Sequence, residues 1–234
     1  MTLGQPRIHR RVTGSTSLVA RELAAAGAPH GTLVTAREQS DGRGRQGRRW
    51  HAPPGQALLC SLVLRDPPAL LPIAAGVAVA ELAGPTAQLK WPNDVLLERR
   101  KVAGILIEGR PQERWAVLGI GVNVAVDLDE LPAELQASAG TLGLDEDQLE
   151  PLLAQLLVLL ERWLEAPADV VLDAWRSRDA LLGVAVRWRE GVGTGAGIDA
   201  GGRLLVALAD GREQALDAGE VHLVGVDGAP PVDP

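Results

Sequence analysis

The chain contains the stretch Gly42-Arg-Gly-Arg-Gln-Gly-Arg-Arg-Trp50, in which three glycines and four arginines precede a tryptophan. No apolar residue recurs before Trp50, so the stretch predicts a loop rather than a packed helix or strand. Four guanidinium groups this close together repel one another unless an anion lies among them. The glycines also let backbone N–H groups approach that anion closely. The sequence therefore predicts a phosphate-handling loop, with Trp50 available to stack on a flat ring.

Two simpler interpretations of this Arg/Gly loop (residues 42–50) stay open from its sequence alone. It could be an exposed basic loop without chemistry, or a segment that contacts RNA. The net charge of the whole chain is −7, however, which argues against a general nucleic-acid binder with a domain-wide basic surface. Hydrophobic residues make up 46% and charged residues 23%, as is typical of a soluble globular protein.

The composition also indicates the cellular compartment. Cys60 is the one cysteine, so no disulfide can form within the chain. The four histidines show no metal-ligand spacing, and the sequence contains neither a signal peptide nor an apolar run long enough to span a bilayer. We therefore expect a cytoplasmic protein. Residues 1–14 are basic and too few for a helix-turn-helix, so we expect no DNA-binding module at this end.

Residues 1–181 show the mixed periodicity of an α+β domain. Helices are predicted at about 16–26, 70–82, 145–166 and 168–176, and strands at 32–37, 57–64, 101–108 and 115–124. The glycines at 119 and 121 alternate within the last of these strands. Glycine weakens a strand interior unless a backbone or a ligand must come close there.

A second polar stretch, Lys90-Trp-Pro-Asn-Asp94, lies between the predicted helix 70–82 and the strand 101–108. Pro92 ends any strand, and Asn93 and Asp94 then place an amide and a carboxylate at a turn. The lysine count draws attention to the same region. Of the 23 basic side chains 21 are arginines, and the two lysines are Lys90 and Lys101. A sequence so biased toward arginine retains lysine where a compact ammonium is needed, if it does so for a reason.

The last part of the chain has a different sequence pattern from residues 1–181. Short strands are predicted at 184–189, 204–208, 213–216 and 221–224, and the turns between them are rich in Gly and Asp. This pattern predicts a small all-β domain over residues 182–227. A Pro-rich tail at 228–234 follows, for which no fixed structure is expected.

Taken together, these motifs resemble those of the biotin protein ligases, in the short form without an N-terminal DNA-binding domain. The resemblance extends from Ser15 to about Val224. It rests on four motifs in the same order: Ser15-Thr16, Gln39 with the Arg/Gly loop, Lys90-Trp-Pro-Asn-Asp94 with Lys101-Val-Ala-Gly104, and Gly119-Ile-Gly-Val-Asn123. The family fold is a mixed β-sheet flanked by helices, followed by a small SH3-like barrel. We therefore expect an α+β catalytic domain at 1–181 and an SH3-like domain at 182–227.

The resemblance implies an activity in two steps. The family activates biotin with ATP and Mg²⁺ to biotinyl-5′-AMP, and then transfers biotin to a lysine of a biotin carboxyl carrier protein, a subunit of acetyl-CoA carboxylase. Attack of a carboxylate on a phosphate joins two anions, so catalysis requires positioning and charge stabilisation. Arginine, lysine and Mg²⁺ suit that task. No nucleophilic triad is visible in the sequence.

The resemblance also implies roles for individual residues. The implied catalytic residues are Lys101 and Arg45. The implied biotin-binding residues are Ser15, Thr16, Gln39, Gly42, Arg43, Lys101, Gly104, Gly119 and Gly121. The implied ATP- or AMP-binding residues are Arg43, Arg45, Arg48, Trp50, Lys90, Asn93, Asp94, Lys101 and Asn123. No side-chain metal site is predicted, and Mg²⁺ is expected to enter with the ATP phosphates, with Asp94 as a candidate ligand.

The sequence departs from the family pattern at two positions near these motifs. Ser17 stands where the family usually has Asn, and Asp41 adds a negative charge beside the Arg/Gly loop. Two rival functions stay open, namely a lipoate or octanoate ligase of the same fold and a non-catalytic RNA-binding protein. We expect no DNA or membrane partner, and a homodimer is compatible with the sequence.

Overall fold

The computed structural model describes residues 3–217 and 221–223, and within them the chain forms two β-sheets. The first sheet has seven strands in the described residues, in the order β1-β2-β3-β7-β6-β5-β4. They are β1 (Arg7–Thr13), β2 (Leu33–Gln39), β3 (Ala57–Arg65), β4 (Gln88–Lys90), β5 (Asp94–Leu97), β6 (Arg100–Arg110) and β7 (Trp115–Asn123). β1 and β2 run parallel and the other neighbours antiparallel, so the predicted mixed sheet is confirmed.

Helices cover both faces of this sheet. They are α1 (Thr16–Ala25), α2 (Leu71–Ala83), α3 (Ala133–Gln136), α4 (Leu149–Glu165) and α5 (Ala168–Arg176). α1 packs on one face through Ala20 and Ala24, which contact a cluster that includes Val63. α2 and α4 pack on the other face, where Leu62 and Leu156 belong to the main core. The side chains of β3 point alternately to the two faces of the sheet, and both faces are buried. This burial explains the continuous apolar sequence of β3.

The second sheet is antiparallel and follows α5. Its described strands are β8 (Ala185–Trp188), β9 (Gly191–Ile198), β10 (Leu204–Ala207), β11 (Glu213–Leu216) and β12 (His222–Leu223), in the order β11-β10-β9-β8-β12. This arrangement is consistent with the expected SH3-like barrel. It joins the first sheet through the main hydrophobic core, and the Trp91 indole N–H donates to Gly202 O at 3.1 Å. The predicted tail 228–234 and Val224 lie outside the described residues, and the domain boundaries stay predictions.

Four of the described strands have no counterpart in the sequence-based assignment: β1, β4, β5 and β9. β4 and β5 are short and lie on either side of the turn predicted at Pro92. β1 lies in a segment for which no strand was predicted, because its residues are mainly charged and exposed, as suits the edge of a sheet. β9 lies where Gly-rich turns were predicted. A Cβ at Gly193 would lie 2.5 Å from Val206 Cγ1 on the neighbouring β10, so close packing requires glycine within this strand. Among the helices of the described residues, none is long and apolar enough to cross a membrane.

Candidate active site

A pocket of about 420 Å³ lies on the α1 side of the first sheet. The N-terminus of α1, the Arg/Gly loop and the segment 128–144 surround it, and its volume is in the range usual for small-molecule sites. The predicted site residues in its lining are Ser15, Thr16, Gln39, Arg43, Arg45, Arg48, Trp50, Lys90, Asn93, Asp94, Lys101, Gly104, Gly119, Gly121 and Asn123. Residues distant in sequence thus converge on one cavity. Gly42 is the predicted residue that lies outside the lining.

Gly42 is buried behind the loop. A Cβ there would collide with the carbonyl oxygen of Trp50 and lie 3.0 Å from the Gln39 side-chain nitrogen. The Trp50 N–H donates to Gly42 O at 2.9 Å. Gly42 therefore holds the two ends of the Arg/Gly loop close together, which is a role in the backbone rather than in the pocket wall.

The hydroxyls at the start of α1 face the pocket. Ser15 occupies the position before the helix, yet its side chain makes no capping hydrogen bond. Its Oγ is buried and has no hydrogen-bond partner within the described residues. A buried hydroxyl without a partner is costly, and a ligand with a polar group would satisfy it. The Ser15 side chain therefore does not cap the helix and is available to a ligand.

The next two hydroxyls belong to a network with β2 and β3. Gln39 Oε1 accepts from the Thr16 N–H at 2.7 Å and from the Thr16 hydroxyl at 3.1 Å. Thr16 Oγ1 and Ser17 Oγ lie 2.8 Å and 3.1 Å from Ser61 Oγ. Ser61 is fully buried behind the lining and was not among the predicted site residues. The network orients Thr16 and Gln39, so their remaining polar atoms are presented to the pocket in fixed positions.

The floor of the pocket is formed by glycines of β6 and β7. Gly104 and Gly121 are paired across these strands, and Leu106 pairs with Gly119. A Cβ at Gly121 would lie 2.6 Å from Trp50 Cε2, and one at Gly104 would lie 2.8 Å from Trp50 Cζ3. The indole thus lies directly on two glycines. Its Nε1 is buried without a hydrogen-bond partner in the part of the chain that the structure describes.

The third wall is charged. Lys101 Nζ lies 2.6 Å from Asp94 Oδ1. The two side chains form an ion pair. Arg45 Nη1 donates to Asn93 Oδ1 at 3.4 Å, which brings the guanidinium beside the same turn. Lys101 Nζ also lies 5.8 Å from the centre of the Trp50 ring. Lys101 and Arg45 therefore contact the two adjacent residues Asp94 and Asn93.

Burial lowers the pKa of the Arg45 guanidinium from its ordinary value. The negative charge of Asp94 opposes this effect, and the positive charge of Arg48 adds to it. Desolvation of a cation without full compensation disfavours its charged form. An anion bound beside Arg45 would reverse this imbalance, as expected for a residue that holds a carboxylate or a phosphate.

Lys90 and Asn123 are buried residues of the pocket lining. Lys90 is only 5% exposed, and its backbone pairs with Asp94 across β4 and β5. The Asn123 amide N–H donates to Gly140 O at 2.9 Å, while its Oδ1 is buried with no partner among residues 3–217 and 221–223. An unpaired acceptor of this kind matches the exocyclic amine of an adenine. The assignment of Asn123 to the adenine stays a prediction.

Sequence reasoning missed two parts of the lining. The segment after β7 contributes Leu131, Leu135 and Ser138, and its backbone is bonded to Lys101, whose N–H donates to Ser138 O at 2.8 Å. The second sheet contributes Val221 and His222. No motif marks these residues, because only the tertiary arrangement brings them to the cavity.

The donor set fits Mg²⁺ only as an ion that arrives with its substrate. No group of three or more His, Cys, Asp or Glu side chains in the described ranges could hold a metal. Mg²⁺ is usually bound by one or two carboxylates together with substrate phosphates, and it retains waters. Asp94 supplies one carboxylate in the lining, beside Lys101 and Arg45.

Fold and pocket together define an α+β protein with a small-molecule site on one face of a mixed sheet. The chain matches the model of the biotin/lipoate A/B protein ligase family over residues 9–125. A biotin--[acetyl-CoA-carboxylase] ligase from Paracoccus denitrificans is 37% identical to it over 91% of this chain and 98% of its own length. The chain therefore belongs to the biotin/lipoate A/B protein ligase family, as the sequence motifs predicted.

Two further comparisons refine this assignment. A bifunctional ligase/repressor BirA from Bacillus spizizenii is 41% identical over 152 residues, which are 60% of this chain and 47% of that protein. The match thus covers about half the length of this curated relative. A biotin protein ligase from Aquifex aeolicus, solved with biotin and ATP, superposes with a TM-score of 0.76 at 28% identity. The superposition covers 94% of this chain and 98% of the other.

Proposed function

We propose that this protein activates biotin with ATP and transfers it to a lysine of a carrier protein. The observation that carries the proposal is that Lys101 and Arg45 line one pocket and contact the adjacent residues Asp94 and Asn93, above a floor that contains glycines. Two cations beside one turn suit a reaction that joins two anions. The relative solved with biotin and ATP, and the relative whose name states the biotin ligase activity, support the same choice.

In the first step the carboxylate of biotin attacks the α-phosphate of ATP, which forms biotinyl-5′-AMP and releases pyrophosphate. Lys101 and Arg45 would stabilise the charge that is redistributed between carboxylate and phosphate. Mg²⁺, held by the ATP phosphates and by Asp94, would neutralise phosphate charge. The unpaired Ser15 hydroxyl and the Thr16–Gln39 pair would bind the polar ring of biotin. The predicted contacts of Gly119 and Gly121 with that ring would require the Trp50 indole, which lies on Gly121 in this structure, to move away.

In the second step the amine of the carrier lysine attacks the activated carboxyl carbon, so that an amide forms and AMP leaves. The carrier that we propose is a biotin carboxyl carrier protein of acetyl-CoA carboxylase, since the name of the Paracoccus relative states this enzyme. The cytoplasmic location, the independence from DNA and the possibility of a homodimer stay predictions from the sequence.

The experiment that tests this function is pyrophosphate release by the purified protein with ATP and Mg²⁺. We expect release that depends on biotin and is not supported by octanoate or lipoate. Support by octanoate instead of biotin would assign the chain to the lipoate branch of the family. Failure of every acid to support release would reject the proposed chemistry.

A further inference from the structure

Glu108 lies on β6, two residues beyond Leu106, which lines the pocket. Side chains of a strand alternate between faces, so Gly104, Leu106 and Glu108 share the face on which the pocket lies. Val117 is its partner on β7. Neither the sequence motifs nor the proposed chemistry assigns a role to this carboxylate.

Two arginines from different elements converge on Glu108. Its Oε1 accepts from Arg43 Nη1 at 3.0 Å and from Arg21 Nη1 at 3.2 Å. Arg43 belongs to the Arg/Gly loop, whereas Arg21 lies on α1. The Glu108 side chain is 19% exposed, compared with 37% for Arg43 and 39% for Arg21. The two guanidiniums therefore shield the carboxylate from solvent.

Arg43 and Arg45 attach the Arg/Gly loop to different residues of the first sheet and its turns. Arg45 reaches Asn93, and the neighbouring Asp94 is paired with Gly104. Glu108 is four residues further along β6, or about 13 Å at the usual rise of a strand. The Arg/Gly loop is thus held at two widely separated points of the pocket floor, one through Arg45 and the other through Arg43.

We propose that Glu108 is a positioning residue, which fastens the Arg/Gly loop across the pocket by holding Arg43. The ion pair ties the start of the loop to the sheet and leaves Arg45 for the anionic ligand. Loss of the carboxylate would leave Arg43 and Arg21 close together as unpaired like charges, so the loop would move away from the sheet. The consequence for ligand retention rests on the proposed function, whereas the fastening of the loop does not.

Limited trypsin digestion of the ligand-free protein tests the fastening. The measured quantity is the rate of cleavage after Arg45, Arg48 or Arg49, resolved by mass spectrometry. Glu108→Gln keeps the shape of the side chain but removes its charge. We expect this variant to be cut about threefold to fivefold faster than wild type, on the scale of a partly exposed ion pair.

The control is Glu81→Gln, which removes a carboxylate that contacts Arg162 and Trp163, away from the loop. Its loop should be cut at the wild-type rate. Arg43→Gln removes the same ion pair at its more exposed residue, so its cleavage rate should match that of Glu108→Gln. This variant keeps the test decisive even if Glu108→Gln does not fold. The double variant should be cut no faster than either single variant. Wild-type cleavage rates in Glu108→Gln and Arg43→Gln, or additive rates in the double variant, would overturn the proposal.

A second measurement connects the fastening to the ligand. Dissociation of labelled biotin from the protein should be faster in Glu108→Gln than in wild type by a similar factor, and unchanged in Glu81→Gln. Equal dissociation rates in wild type and Glu108→Gln would contradict a role in retention. If the wild-type protein bound no biotin, the proposed function would fail, while the proteolysis result would still decide whether Glu108 holds the loop.

Discussion

At the scale of single residues, Lys101 is the most informative position. An exposed lysine at the end of a strand would tolerate arginine at a cost within about 0.5 kcal/mol. The structure instead holds Lys101 between Asp94 and the Trp50 ring, with a side chain that is 21% exposed. Arginine would keep the charge, but its planar and longer group cannot occupy the same point.

We therefore expect Lys101→Arg to slow biotin-dependent pyrophosphate release roughly a hundredfold, about 2.7 kcal/mol of transition-state stabilisation. Its melting temperature should stay close to that of wild type. The control is Arg100→Lys, which exchanges the same two residue types at the exposed neighbouring position. The role of Lys101 in catalysis would be wrong if Lys101→Arg released pyrophosphate at the wild-type rate. Lys90→Arg is unsuitable as a control because Lys90 is buried.

Arg45 provides a second prediction at this scale, because its guanidinium is partly buried beside Asn93. If it holds the phosphate of the activated intermediate, Arg45→Gly should release biotinyl-AMP into solvent. A charge-assisted bidentate contact contributes on the order of 1.5–3 kcal/mol, so leakage should rise roughly tenfold or more. The measurement is biotin on lysines of an unrelated protein such as albumin.

Arg49→Gly is the matched control for this leakage. It removes the same charge from the same loop and adds the same backbone freedom. Its guanidinium, however, donates to Ser40 O at 2.6 Å and lies 3.3 Å from Asp41, away from Asn93. Leakage should increase much less in this variant. Equal leakage from both variants would mean that loop flexibility, rather than the phosphate contact of Arg45, retains the intermediate.

At the scale of elements, β7 depends on the absence of a side chain at Gly119. A Cβ there would lie 2.6 Å from Ser17 Oγ, which is closer than real Cβ contacts allow. Gly119→Ala should displace the start of α1, lower the free energy of unfolding by about 1–3 kcal/mol and weaken biotin binding more than tenfold. Calorimetry of unfolding and of biotin binding would measure both effects.

Gly14→Ala is the control for that substitution. No atom outside its chain neighbours lies within 4 Å of the position of the added Cβ, although Gly14 directly precedes Ser15. It should therefore bind biotin nearly as well as wild type. Unchanged biotin affinity in Gly119→Ala would show that the strand does not lie against the ligand.

The Arg/Gly loop is the element that we expect to respond to ligand. Its own bonds are few: Arg43 and Arg49 form an isolated bridge, and the Gly44 N–H donates to Arg48 O at 2.8 Å. An anion among the guanidiniums would add charge-assisted contacts and restrain the loop. Biotin with ATP should therefore slow trypsin cleavage between Arg43 and Arg49, while cuts elsewhere keep their rates. Equal cleavage of this loop with and without ligand would indicate a passive surface loop.

At the scale of the whole molecule, the junction between the two sheets includes a half-buried carboxylate, that of Asp179. Asp179 forms an isolated bridge with Leu89 of β4, and its Oδ1 accepts from the Leu181 N–H at 2.8 Å. Burial raises the pKa of this carboxyl above its ordinary value, although hydrogen bonds from the backbone oppose the effect. The native state therefore binds the proton more tightly than the unfolded chain.

The sign of the resulting pH dependence follows from linkage. Ionisation of Asp179 costs the native state more than the unfolded state. The penalty is absent below the unfolded-state pKa of about 3.9, and it is complete above the raised pKa of the folded protein. Asp179→Asn keeps the acceptor and removes this penalty. We expect its stability relative to wild type to increase as the pH rises through that window.

Urea unfolding at a series of pH values would measure this difference. Glu190→Gln, at an exposed turn of the second sheet, should show no such trend. A difference between Asp179→Asn and wild type that does not change with pH would mean that the carboxyl is not perturbed by burial.

The sequence by itself determined the fold class and the order of most elements, because buried strands and amphipathic helices have distinct periods. α5 has the predicted bounds, and α1, α2 and α4 differ from them by a few residues. All site residues implied by the motifs, except Gly42, lie in the lining of the pocket. Glycines next to arginines indicate a loop that an anion can approach closely, and lysines in an arginine-rich chain indicate positions that need a compact ammonium.

Only the tertiary structure decided which of those residues meet. The periodicity of β1 and β9 carries no clear burial signal, since the first is a charged edge and the second has glycine at every other position. Similarly, Ser61, Glu108 and His222 belong to no motif. Their positions around the pocket follow from strand pairing and from the docking of the second sheet. A sequence pattern records which face of its own element a residue occupies, whereas a site is built from contacts between elements, which no local pattern contains.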